Sequence, residues 1–170
     1  HSRAVARGLD DSSVSVRRAA IDALTKLGPL ELTAFANPIV LKFTDEILSV
    51  RLAAVRALSK LPSAALAPHA HALTERFKDP EWSVRAAALC TLGSLGTALR
   101  EYLPIILTMI EDAFDGVRSA AVDVILSTGL DAIADHGPAI AQRLDHPKAG
   151  VKVAALSLLA SLPTYEYRYA

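Results

Sequence analysis

The side chains able to do chemistry are few, and their spacing keeps them apart. His69 and His71 stand two residues apart, and a helix turning about 100° per residue points them about 200° away from each other. They cannot share an ion, and His136 and His146 are scattered far along the chain, so no metal site is expected. Cys90 is the single cysteine. It has no neighbouring helix start or histidine to lower its thiol pKa, and it reads as a plain small groove residue. Ser94 lies between glycines but lacks the strand–turn–helix context of a hydrolase nucleophile elbow. No glycine-rich loop carries a lysine that would hold a phosphate. The paired carboxylates Glu111 and Asp112 fall at a helix end, where capping explains them. The expectation is a chain with no catalytic constellation and no cofactor, acting as something other than an enzyme.

The elements that position these residues recur. Val16-Arg17-Arg18-Ala19-Ala20 returns as Val50-Arg51-Leu52-Ala53-Ala54, Val84-Arg85-Ala86-Ala87-Ala88, Val117-Arg118-Ser119-Ala120-Ala121 and Val151-Lys152-Val153-Ala154-Ala155. The valines stand at 16, 50, 84, 117 and 151, steps of 33 or 34 residues, and a fixed period of that size marks a repeat architecture. On a helical wheel Val16, Ala19, Ala20, Ala23, Leu24 and Leu27 share one side, opposite Arg18, Asp22 and Thr25, which predicts an amphipathic helix stopped by Gly28-Pro29. Asp11, Asp45, Asp79, Asp112 and Asp145 precede the copies as candidate helix caps. Between copies the apolar spacing predicts a first helix over 30–43, 64–77, 98–111 and 130–144. Each holds one proline (Pro38, Pro68, Pro104, Pro138) and is expected to kink there. Pro68 sits a turn early, which predicts a displaced kink in that repeat.

Composition sets the limits. The chain has 170 residues, 52% of them hydrophobic and only 5% aromatic, so its core must be built from Ala, Leu, Val and Ile. Lysine plus arginine equals aspartate plus glutamate at 18 each. That balance argues against a dedicated nucleic-acid binder. No apolar run reaches the roughly 18 residues of a membrane span, so no membrane insertion is expected. One cysteine excludes an internal disulfide framework and fits an intracellular, cytoplasmic setting. A start at His1 suggests a fragment of a longer repeat protein.

The string of Asp, four to five residues, then Val-Arg-x-Ala-Ala-x-x-x-Leu resembles the HEAT-repeat family in its compact form. The resemblance implies an all-α fold, a right-handed α-solenoid of about five HEAT-like helical hairpins with second helices on the concave side. The array is expected over 1–163, as a partial first repeat 1–28 and repeats 29–61, 62–95, 96–128 and 129–163, with a Tyr-rich tail at 164–170. The family also implies a ladder in which Arg17, Arg51, Arg85, Arg118 and Lys152 meet aspartates of neighbouring repeats, here Asp11, Asp45, Asp79 and Asp112. It implies protein scaffolding as the function, with a protein or peptide partner.

On that reading the concave face carries Arg18, Asp22, Leu52, Arg56, Ala86, Cys90, Ser119, Asp123, Leu126, Val153 and Ser157. Its floor is small and apolar where solvent-facing helix positions are ordinarily charged, which suits a partner helix. The alternative is that a high alanine content spills onto every face. Trp82, two residues before its valine, resembles the loop tryptophan of tubulin-binding TOG arrays, though Ser83 stands where a lysine commonly follows; packing between repeats is its other role. Bilin-attaching lyases, also built from short HEAT-like repeats, supply an enzyme-class alternative.

Overall fold

The computed structural model describes residues 2–162, and no strand occurs among them. The Tyr-rich segment 164–170 lies outside the described residues. The chain divides into two compact units, His1–Gly96 and Thr97–Ala170.

In the first unit α1 (Ser2–Arg7) leads through a 3-10 turn into the long α2 (Val14–Leu24). A first arm made of α3 (Pro29–Thr33) and α4 (Ala36–Val40) then returns to a second long helix, α5 (Leu48–Leu58). The next hairpin repeats the plan with α6 (Ser63–Leu66), α7 (Ala70–Glu75) and the long α8 (Trp82–Gly93). Helices α2, α5 and α8 pack side by side, and α4 and α7 cover α5 and α8. The second unit holds α9 (Leu103–Thr108), the long α10 (Asp115–Leu126), α11 (Leu130–Asp135), α12 (Gly137–Gln142) and the long α13 (Ala149–Ser161). Helix α10 packs on α13. Gly129, which opens α11 at φ 93°, needs a conformation that a side chain would disfavour.

Burial follows the repeated phrase. Val50, Val84, Val117 and Val151 are fully buried, as are Ala54, Ala88, Ala121 and Ala155. Alanine at that position lets adjacent backbones approach, so the valine of each helix finds a partner surface within van der Waals reach. Val16 departs from the expected buried stripe: it is 41% exposed, since only α1 and its turn pack against α2 on that side. Leu9 and Leu158, near the two ends of the described residues, are buried.

The first arms are more broken than the predicted kinked helices. Each contains one residue near φ −100°, ψ 0°: Phe35 (−110°, 5°), His69 (−104°, 1°), Tyr102 (−98°, −2°) and His136 (−103°, 5°). All four stand fifteen residues before the next anchoring valine. Pro38, Pro104 and Pro138 follow two or three residues later, and a proline there removes a helical donor and disfavours helix in the residue before it. Pro68 precedes its break instead. It adds a 3-10 turn at Ala67–His69, yet the break itself stays at His69, in register with the others. The displaced kink expected in this repeat is therefore corrected. The element shared by all four is a half-buried ring at the break.

Candidate partner-binding surface

The loops before the long helices share one construction. The Asp11, Asp45, Asp79 and Asp112 carboxylates accept from the backbone N–H two residues on, at 2.8, 3.0, 3.0 and 2.9 Å. None of these residues makes a side-chain cap of its helix, so the aspartates shape the loop rather than cap the helix as the sequence suggested. The arginine six residues on then clips the same loop. Arg51 Nη1 donates to the carbonyls of Asp45 and Glu46 at 3.0 and 3.1 Å, and Arg17, Arg85 and Arg118 repeat the clip.

In the first unit the other edge of the guanidinium reaches the next loop. Arg17 is bidentate on Asp45 at 2.8 and 3.0 Å, and Arg51 on Asp79 at 2.9 and 3.1 Å. Paired donors of this geometry fix register as well as adding energy. Burial alone would raise the Asp45 carboxyl, but the Arg17 bond and the Ile47 N–H outweigh it and hold the group below its ordinary value. The same bond to Asp45 raises the Arg17 pKa.

The second unit departs from this plan. The register position that Asp45 and Asp79 occupy falls on His146, one residue after the expected Asp145, and His146 Nδ1 accepts the Lys148 N–H at 3.1 Å. Arg118 therefore turns its Nη2 to the exposed Asp115 at 2.8 Å, and its buried Nε has no hydrogen-bond partner. Lys152 is exposed and pairs with no carboxylate among the described residues. Another residue missed by sequence is Thr91, buried in α8 and donating to the Val55 carbonyl of α5 at 3.2 Å. A threonine on the buried side of an otherwise apolar helix was the signal, since a buried hydroxyl needs an acceptor.

The outward residues of the long helices line three open depressions. Arg18, Asp22, Leu52 and Arg56 border one of about 340 Å³ over α2 and α5. Arg56, Trp82, Ala86 and Cys90 border one of about 270 Å³ over α5 and α8. In the second unit Ser119, Val153 and Ser157 border one of about 230 Å³ over α10 and α13. Asp123 and Leu126 are exposed on α10 but border none of these three. Trp82 opens α8 and is 44% exposed. His69 is half-buried at the bend of its arm, and burial pushes its pKa down. Among the described residues no group of three His, Cys, Asp or Glu is placed to hold a metal, and no helix among them is long and apolar enough to cross a membrane.

Residues 2–24 match a family model described as a HEAT repeat associated with sister chromatid cohesion. No curated protein matches the chain. Several solved structures resemble it in fold. An engineered protein of the Northeast Structural Genomics Consortium is 16% identical with a TM-score of 0.66, over 94% of this chain and 78% of that one. The complex of CpcE and CpcF of phycocyanin lyase from Nostoc sp. PCC7120 is 22% identical with a TM-score of 0.65, over 97% of this chain and 66% of that one. A designed armadillo repeat protein is 19% identical with a TM-score of 0.61, over 94% and 81%. Such identities carry the fold alone. The recurring hairpin and the armadillo-like likeness agree on an α-solenoid fold built of helical repeats, and residues 2–24 resemble a HEAT repeat.

Proposed function

We propose that the protein is a non-enzymatic scaffold that binds a protein segment, helical in form, on the outward faces of its long second helices. The observation that supports this reading is the coincidence of the depressions over α2–α5, α5–α8 and α10–α13 with residues that face outward on those helices. Apolar side chains remain in or beside them, with Val153 61% exposed and Leu52 half-buried. Exposed apolar positions that border a depression favour a partner over water. The test is Leu52→Glu and Val153→Glu. Helical circular dichroism should hold, while proteins retained by the immobilised native chain should be lost. Retention of the same proteins by both variants would end this reading.

A second reading is favoured by the exposure of Trp82 at the loop edge, where it borders the α5–α8 depression. There it would capture tubulin, as in TOG arrays. Trp82→Ala should then abolish tubulin co-sedimentation without lowering the melting temperature. An unchanged pellet would dismiss it. The likeness to the phycocyanin lyase complex supports a lyase subunit only through fold, and absence of a bilin absorbance shift on mixing would remove that alternative.

A further inference from the structure

Two of the depressions belong to one strip, because Arg56 of α5 borders both the α2–α5 and the α5–α8 hollow. The first hollow has an apolar floor of Leu48, Leu52, Ala53 and Ala57 and a rim of Arg18, Arg56 and Lys60. Its only carboxylate, Asp22, rests 3.7 Å from Arg18, with both side chains over half exposed. Arg56 and Lys60 make no ion pair among the described residues. The second hollow adds Trp82, Ala86 and Cys90 and no acidic residue. A chain of zero net charge thus gathers unneutralised cations around its apolar strip.

Resting on the scaffold reading above, we infer that this strip recognises an acidic amphipathic helix, with carboxylates between two apolar anchors. Helices packed side by side stand about 8–10 Å apart, and a helix rises about 1.5 Å per residue. A partner helix crossing α2, α5 and α8 therefore advances about five to seven residues per long helix. Apolar side chains at i and i+7 lie on one face of such a helix and fall one into each hollow. Carboxylates at i+3 and i+4 then stand over Arg56, between the anchors. Such a pairing, partly screened from water by the anchors, sets orientation and rejects basic partners.

The probes are acetylated, amidated alanine-based helical peptides with Leu at i and i+7, carrying either Glu or Lys at i+3 and i+4, titrated by fluorescence anisotropy against the full chain. The Glu peptide should bind at least about tenfold more tightly than the Lys peptide, and weaken as salt rises. Replacing its leucines by alanine should abolish binding. Arg56→Glu, at an exposed position, should reverse the preference with the circular dichroism unchanged. Equal binding of both leucine peptides, lost in Leu52→Glu, would overturn the acidic assignment and leave the scaffold reading standing. No binding of any peptide would overturn this inference, while the scaffold reading is decided separately by partner retention on Leu52→Glu. Concentration-dependent self-association that Arg56→Glu removes, without peptide binding, would assign the strip to a second copy and overturn it as well.

Discussion

Asp79 joins two repeats through four bonds: two from Arg51, one from the Glu81 N–H through its carboxylate, and one from Arg85 to its carbonyl. Its side chain is 2% exposed and that of Arg51 11%, so water cannot replace the carboxylate if it is removed. Asp79→Ala leaves the guanidinium partly buried with two donors unpaired, and should cost about 3 kcal/mol, read by urea unfolding. A loss below about 1 kcal/mol would mean that the pair behaves as an exposed one. Asp45 adds a pH dependence. Its carboxyl is depressed in the folded state, so its stabilisation is present above the ordinary carboxylate range and is lost as pH falls through the folded value. The acid side of the stability profile should therefore flatten in Asp45→Asn, and an unchanged acid limb would show that other carboxylates control it.

The long helices were legible because their apolar residues keep a helical period and the valine–basic–alanine phrase fixes the register. The breaks in the first arms were not. Proline marks them in three repeats, but Pro68 stands on the other side of its break, and the feature they share is a half-buried ring at Phe35, His69, Tyr102 and His136. Ring packing is a tertiary effect, which no local signal announces. The aspartates misled as well. Asp145 is one residue out of register, six before its valine where the other aspartates stand five before theirs, and the loop contact to the Lys148 N–H falls to His146. If ring packing sets the bend, proline is dispensable there. Pro104→Ala should leave the helical signal at 222 nm unchanged and lower stability by no more than about 1 kcal/mol, the size of an unfolded-state effect. A gain in helical signal, from the turn before α9 fusing with it, would show that proline holds the break open.

A repeat array carries its stability as a sum of hairpins and the surfaces between neighbours, so differences between rungs should appear as differences in local opening. The first unit has two complete rungs, Arg17–Asp45 and Arg51–Asp79, and the Thr91–Val55 bond between α5 and α8. In the second unit Arg118 leans on an exposed carboxylate, and α13 presents Val153 and Leu156 at 61% and 54% exposure. Amides of α5 should then exchange most slowly and those of α13 fastest among the long helices, since opening follows the density of buried contacts. His146→Asp tests the cause. An aspartate there keeps an acceptor for the Lys148 N–H and offers Arg118 the bidentate partner that Arg17 and Arg51 possess, a gain of about 1 kcal/mol. Exchange in α13 should slow about fivefold, since 1 kcal/mol is a factor of about five in an opening equilibrium, with α5 unaffected. Exchange in α13 as slow as in α5, or no response to His146→Asp, would mean that the interrupted rung does not limit the second unit.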